Sequence, residues 1–581
     1  MLAHHWSLIT WRMKTSALQR LFLIATLLFF LSVRLAPAEG NVQTDGYVGS
    51  SACVACHSSI YKSYSATPMA LSSGKVGTGA FQESFAASKF FHSRSGAHYR
   101  VFKEQNDYYF EFIREASQTS SHEIRGRRRL DYFIGSGAVG RSYLFSLDRF
   151  LFQAPVSYYS MPGRWNLSPG YEQDEQINLT RPMETGCLEC HASRLQPVAA
   201  TQNRYGEVPF LEGGISCERC HGPGRRHLAK MSSGQIDGSR EIVNPAKLEP
   251  LRRDSVCAQC HLTGEARIAK AGRSLLTFQP GELLSDHVVS FVWSSRNERG
   301  VKVTSHFEKL WQSACKKASG ERLSCVSCHS PHTVPAETER KEYFRQKCLA
   351  CHQNSDCKQR IELRVEKGND CVACHMPKSQ ALDVGHAVFT DHSIPRLTSG
   401  KPQRKTEATE RSLIPFGGGV AETRDLGLAY AEAAVQEQND AYYTRAFELL
   451  KKAEAERPGD ARVLEQLAFL YDRLGDENKA MALYDRAVRA NPARIAAAVN
   501  LGTLLARRNR FQEAIRIWED ALSRNPGLET ARVYLAIVYL QSGDSTAAEA
   551  ALLKALEHSP DSQPAHKFLL DLRKKKSQLS K

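Results

Sequence analysis

Cys217-Glu-Arg-Cys220-His221-Gly-Pro-Gly-Arg-Arg-His227 contains one of seven places where the chain spells Cys-x-x-Cys-His. The others are Cys53/Cys56/His57, Cys187/Cys190/His191, Cys257/Cys260/His261, Cys325/Cys328/His329, Cys348/Cys351/His352 and Cys371/Cys374/His375. Chance predicts roughly 0.02 copies at these residue frequencies, so the pattern reads as c-type haem attachment. Two thiols add across the two vinyl groups of one porphyrin, and two intervening residues let a single turn reach both. The adjacent histidine then serves as proximal ligand to the iron. Zinc knuckles also use Cys-x-x-Cys, but they need paired motifs and no histidine directly after each.

Seven proximal histidines leave a question about the opposite faces. Outside the start of the chain and the repeats described below, nine histidines remain as distal candidates: His92, His98, His122, His227, His287, His306, His332, His386 and His392. His332 follows His329 by three residues, which span at most ~11 Å, too little to round a porphyrin edge. As a ligand it would serve a neighbouring haem. The Gly-Pro-Gly turn before His227 suits a neighbouring haem in the same way. Met69 reads more simply as a core methionine than as a ligand. Cys315 and Cys357 are left over, and in an oxidising compartment a disulfide between them is the expected pairing, with free buried thiols, or a functional thiol or haem ligand, as the alternatives.

The chain has 581 residues, 42% hydrophobic and 24% charged, which excludes disordered, collagen-like and multi-span membrane classes. Arg12, Lys14 and Arg20 precede an apolar run from Leu21 to Val33, and Ala36-Pro37-Ala38 reads as a cleavage site. Residues 1–38 are thus expected to be a signal peptide, with Met13 as the tidier start and a periplasmic or otherwise exported product. Membrane association is expected only if that signal is uncleaved.

The gaps between motifs are too short for a separate core around each haem, so the porphyrins must pack on one another. The exception is the long stretch after His57. His98-Tyr-Arg-Val-Phe102, a turn, and Tyr108-Tyr-Phe-Glu-Phe-Ile113 predict a β-hairpin, and Leu151 to Tyr159 a further strand. Arg125, Arg127, Arg128 and Arg129 within this insertion read as a solvated basic loop or as partners of haem propionates. Punctuation by Gly and Pro marks a linker at 396–425. Beyond it Pro458, Pro492, Pro526 and Pro560 recur every 34 residues, and Leu464, Ala468, Ala480, Tyr484 and Ala487 recur in register with Ala498, Gly502, Ala514, Trp518 and Ala521. That period predicts tetratricopeptide repeats. The expected architecture is mainly α. Haem 1 and a small β-rich insertion occupy 39–180, and haems 2–7 occupy 181–395 with little regular structure. An α-solenoid occupies 426–581.

On these residues the chain resembles exported multihaem c-type cytochromes that end in tetratricopeptide repeats. Its haem part is similar to the family of the tetrahaem cytochrome that takes electrons from hydroxylamine oxidoreductase. The matching stretches are Tyr47-Val-Gly-Ser-Ser-Ala-Cys53, Ile134-Gly-Ser-Gly with Arg141-Ser-Tyr, Cys217-Glu-Arg-Cys-His-Gly-Pro-Gly, Cys328-His-Ser-Pro-His332, Cys374-His-Met-Pro-Lys378 and Val388-Phe-Thr-Asp-His392. The resemblance implies packed haems and electron transfer. It leaves open a multihaem oxidoreductase acting on a small nitrogen or sulfur oxyanion at one haem with an open coordination position. No Cys-x-x-Cys-Lys motif, the mark of the related nitrite reductases, is present. The repeats are expected to dock a redox partner protein.

The formal charge of +15 invites a nucleic-acid reading. Loss of residues 1–38 leaves +11, and residues 426–581 hold 23 basic against 21 acidic residues. Seven haems with their propionates add about −7 when ferric and −14 when ferrous, which brings the loaded protein to about +4 or −3. The basic excess is counter-charge for the cofactors, and no nucleic-acid partner is expected.

Overall fold

The computed structural model describes residues 46–579 except 79–82, 87, 117–122, 295–301, 383–387 and 396–410. The expected signal, the start at Met13, and the candidates His122 and His386 lie outside the described residues.

The chain from 73 to 167 alternates apolar and polar residues and folds as two antiparallel sheets. In chain order the strands are β1 (Ser73–Lys75), β2 (Ser88–His92), β3 (Ala97–Glu104), β4 (Asp107–Arg114), β5 (Ile124–Arg129), β6 (Tyr132–Ile134), β7 (Gly140–Leu147), β8 (Phe150–Tyr159) and β9 (Arg164–Leu167). One sheet has the order β2-β3-β4-β5 and the other β1-β6-β7-β8-β9. The expected hairpin is β3–β4, closed where Glu104 pairs with Asp107. Tyr99, Val101, Phe110 and Phe112 point inward from it and share one core with Tyr143, Phe145, Phe152 and Trp165 of the second sheet. The insertion is therefore larger than expected. Its four arginines form no loop and do not face the haem motifs. They lie on β5, an edge strand, where Arg127 pairs with Glu104 and stacks over Tyr109 at 4.2 Å, and Arg129 pairs with Asp131. Charged edges of this kind block further strand pairing.

From 181 to 395 the chain holds more regular structure than expected, mostly short helices, of which Pro250–His261 and Glu337–Leu349 are the longest. The hairpin β10 (Ala192–Pro197) with β11 (Tyr205–Gly213) follows the second motif. The strands β12 (Ala266–Ala269) and β13 (Val288–Trp293) form a small sheet, and the short pair β14 (Lys378–Gln380) and β15 (Val388–Thr390) follows the last motif. The expected linker is not wholly irregular. Its described part contributes β16 (Leu413–Pro415), which completes the β12-β13-β16 sheet.

Among the described residues the C-terminal part is four antiparallel helix pairs and a closing helix. They are α1 (Thr423–Glu437), α2 (Asp440–Glu456), α3 (Ala461–Arg473), α4 (Glu477–Ala490), α5 (Ile495–Arg507), α6 (Phe511–Arg524), α7 (Glu529–Gln541), α8 (Ser545–His558) and α9 (Gln563–Leu579). Each of the recurring prolines stands two residues past the end of an even-numbered helix, where a missing N–H breaks no helical bond. The small positions allow the helices to approach closely. A Cβ added at Gly502 would lie 2.4 Å from Nε1 of the buried Trp518.

The solenoid meets the rest of the chain at two different kinds of interface. At its start, Leu428, Tyr430 and Leu450 share an apolar core with Ile268, Phe291, Trp293 and Leu413 of the β12-β13-β16 sheet. At its far end the α6–α7 and α8–α9 turns and the end of α8 grip the β insertion and the β10–β11 loop through polar groups. Arg114 pairs with the buried Asp561, whose carboxylate also accepts the Ile177 N–H at 2.9 Å. Arg128 donates to the Glu557 carbonyl at 2.8 Å, Lys554 pairs with Asp148 at 2.8 Å, and Asn525 donates to Gln202 at 2.6 Å.

His558 sits in that interface against Phe152 and is 2% exposed, with no hydrogen bond to either ring nitrogen. Burial, then the charges of Arg532 and Lys554, push its pKa down to about 4, against weaker upward pulls from Asp148 and Glu557. The imidazole is therefore neutral when folded and takes a proton more readily when unfolded. Stability is expected to fall as pH drops from about 6.5 toward 4, by on the order of 1 kcal/mol per pH unit. Limited proteolysis of the C-terminal helices across this range checks it. His558→Leu should flatten the profile, and an unchanged profile in that variant would count against the assignment.

Candidate haem-binding cavity

Each motif is built on a helical turn, which places two cysteines three residues apart on one side. Caps hold several of these turns. Ser324 forms a capping box before Cys325, Asp370 accepts from the Ala373 N–H at 3.1 Å, and Ser50 Oγ accepts from the Cys217 N–H at 3.1 Å. The turns surround a cavity of about 5200 Å³, lined by all sixteen cysteines and all seven motif histidines. A pocket for one small ligand measures ~300–1,000 Å³, so this space exceeds what one small ligand needs. Seventeen Lys and Arg line it against seven Asp and Glu.

Within the cavity the structure brings motif histidines opposite others from distant parts of the chain. The rings of His57 and His227 face each other at 6.4 Å with planes 20° apart. His221 faces His332 at 5.9 Å and 14°, and His329 faces His392 at 6.2 Å and 29°. His261 meets His306 at 5.3 Å with perpendicular planes. A metal–nitrogen bond of about 2 Å on each side, plus about 1 Å from each nitrogen to its ring centre, spaces two opposed imidazoles by about 6 Å. His221 Nδ1 donates to the Val243 carbonyl at 2.8 Å, His227 Nδ1 to Gly238 at 2.9 Å and His392 Nδ1 to Thr390 at 2.9 Å. A proton fixed on Nδ1 leaves Nε2 as the lone-pair nitrogen, the form that binds a metal. Burial pushes the pKa of His191, His261, His329, His332 and His392 down, and that of His306 to about 3, which keeps these rings neutral.

Thiols of different motifs also meet. Cys53 lies beside Cys217, Cys190 beside Cys260, Cys257 beside Cys325 and Cys348 beside Cys371. Cys220 is a further neighbour of Cys257, and Cys328 of Cys348. The first motif thus adjoins the third, the third the fourth, the fourth the fifth, the fifth the sixth and the sixth the seventh. The second adjoins the fourth.

Three distal candidates are not brought to the cavity. His92 uses Nδ1 on Ser95 and Nε2 on the Glu172 carbonyl. His98 is exposed on β3 against Phe91. His287 is buried with Nδ1 on Thr277 and Nε2 on Glu282 at 3.0 Å, so both nitrogens are engaged. Among the described residues no second histidine ring faces His191, His352 or His375. Met69 lines the cavity wall. Cys315 and Cys357 are both free thiols, the first half-buried and the second exposed, so the expected disulfide is not formed.

Some lining residues carried no motif in the sequence. Arg219 and Arg267 each keep a buried Nε without a hydrogen-bond partner. Nη2 of Arg219 donates to the Glu189 carbonyl at 3.3 Å and Nη2 of Arg267 to the Gln259 carbonyl at 2.7 Å, so both guanidinium groups are held at the wall, where positive charge suits an anionic group such as a propionate. The acidic Glu218, inside the third motif, is 1% exposed. Its only sequence signal is an acid in a position read as spacer.

Residues 166–222, which include the second and third motifs, match the family of cytochrome c554 and c-prime. Residues 442–507 and 505–572 match tetratricopeptide repeats. Curated relatives include photosystem I assembly protein Ycf3 of Synechococcus sp. (strain WH7803), 28% identical over 132 residues, covering 20% of this chain and 74% of the relative. Cellulose synthase operon protein C of Pseudomonas fluorescens (strain SBW25) is 31% identical over 123 residues, 21% of this chain and 10% of that protein. Among solved structures, MamA from Desulfovibrio magneticus RS-1 covers 27% of this chain and 88% of its own at 18% identity, with a TM-score of 0.25. The cytochrome match implies covalently bound haem c, and the cavity volume, the opposed imidazoles and the excess of Lys and Arg in the wall fit that group. The two family matches together support a c-type cytochrome joined to tetratricopeptide repeats.

Proposed function

We propose that the chain is an exported, periplasmic seven-haem c-type cytochrome that transfers electrons, with its repeats as a protein-interaction element that docks a redox partner. The observation that carries this reading is the set of opposed imidazoles inside one shared cavity. His57, His191, His221, His261, His329, His352 and His375 are the proximal ligands, and each pair of motif cysteines holds a porphyrin. His227, His332 and His392 face His57, His221 and His329 and would serve as distal ligands there, and His306, edge-on to His261 and beside His392, would serve His261. Bound there, haem c supplies one-electron redox chemistry. The protein orients His221, His227 and His392 through Nδ1 and offers Arg219 and Arg267 to propionates. The unbroken sequence of neighbouring motifs, with the second beside the fourth, suits a relay with one side arm.

The purified chain is expected to carry seven haems by pyridine haemochrome against protein mass, with an N-terminus at Glu39. A count of four or fewer would refute the seven-haem reading. Spectra taken with nitrite, hydroxylamine and sulfite separate the two functional classes. A low-spin, unresponsive spectrum supports the carrier, and a high-spin haem that binds one of them supports the oxidoreductase.

A further inference from the structure

We propose that Glu218 is the residue that positions His227 opposite His57. The inference rests on the reading that these two histidines flank one haem iron. Glu218 lies between the attachment cysteines of the third motif. Here the side chain is buried and its carboxylate collects backbone donors from two other segments. Oε1 accepts the Val48 N–H at 2.9 Å and the Gly224 N–H at 2.8 Å. Oε2 accepts the Gly49 N–H at 2.8 Å and a longer contact from Val48 at 3.2 Å.

The two segments have different destinations. Val48 and Gly49 lead directly into the turn Ser50–Cys53 and so to His57. Gly224 is the residue before the helix Arg225–Ser232, which carries His227 on its first turn. One carboxylate therefore fixes the approach of both imidazoles. The segments are further zipped by the Arg225 N–H, which donates to the Gly46 carbonyl at 2.9 Å. The fit is close, since a Cβ at Gly224 would lie 3.3 Å from both Glu218 Oε1 and Val48. A carboxylate suits this place because it offers only acceptors, about four lone-pair sites, to three converging N–H groups. Glutamine has nearly the same shape but would turn an NH₂ toward one of these donors, leaving a buried N–H unsatisfied. The same substitution removes a fixed negative charge beside the third motif. Charge near the haem is one determinant of its reduction potential.

The test uses the full-length, haem-loaded chain as wild type, E218Q, E218A and H227A. Haem content is read by pyridine haemochrome, axial ligation by EPR, and potentials by spectroelectrochemical titration. E218Q is expected to keep the wild-type haem count and lose one haem equivalent of low-spin signal, the same signal that H227A loses. One midpoint potential should also move positive. A purely structural role would lower stability without singling out one haem. If E218Q is spectrally identical to wild type while H227A loses its signal, the positioning role is overturned and the ligand assignment stands. If H227A leaves every haem low-spin, the ligand assignment falls and this proposal with it. E218A losing haem while E218Q matches wild type also overturns the positioning role, because packing alone then explains the residue.

Discussion

Replacing His332 with alanine is expected to change the haem attached through Cys217 and Cys220 and to leave the one attached through Cys325 and Cys328 low-spin. Chain proximity argues the opposite, since His332 follows His329 by only three residues. Reach decides against proximity: three residues span at most ~11 Å, and the path to the far face of the same porphyrin runs around its edge. The His332 ring instead stands 5.9 Å from His221 with nearly parallel planes, while His329 faces His392. EPR of His332→Ala should show one haem equivalent converted from low to high spin. His392→Ala should convert a different one, so the double variant loses two. The decisive background is a chain whose third motif carries Cys217→Ala and Cys220→Ala. There His332→Ala should have no further effect on the remaining haems, and an added high-spin haem in that background would refute the pairing.

The second large effect is expected in the solenoid. Trp518 is 1% exposed, its Nε1–H donates to the Val499 carbonyl at 3.2 Å, and its indole fills the space that Gly502 leaves by having no Cβ. Trp518→Ala removes a side chain that is packed in the interior of the repeats. The expected loss is about 3–5 kcal/mol, from lost transfer energy and the cavity left behind. Repeat proteins are stabilised by intrinsic terms and by interfaces with neighbours, so the loss should spread to the flanking helices α5 and α7. Hydrogen exchange should accelerate across 495–541, and the denaturation midpoint should fall with haem absorbance unchanged. A loss below about 1 kcal/mol would show that the repeats relax around the gap.

What the sequence made legible follows the range of the interactions involved. The attachment motifs are local, because a thioether pair needs only one turn, and the 34-residue period is a local rule repeated. The β3–β4 hairpin was readable from its alternation and turn for the same reason. The opposition of His57 and His227 was not readable, because 170 residues separate them and only the folded chain brings them together. His92 and His287 illustrate the converse. They looked equal to the other histidines by composition, yet Ser95 and Glu172, or Thr277 and Glu282, occupy their nitrogens. Glu218 was hidden by the motif itself, since a pattern written with x treats that position as empty. The role of Arg125 to Arg129 depended on which strand lies at a sheet edge, which residue order alone does not state.

The polar grip of the solenoid on the β insertion has a kinetic consequence. Arg114 and Asp561 are 447 residues apart, so their contact closes a loop through most of the molecule. Loop closure of that length is entropically unfavourable until the intervening parts are folded. Contacts of such separation are expected to form late. Refolding should therefore proceed through a species in which the two ends are each structured but not yet joined. Until they join, the turns after α6 and α8 and the outer surface of the insertion are exposed together, and that interval is when the chain is most open to aggregation.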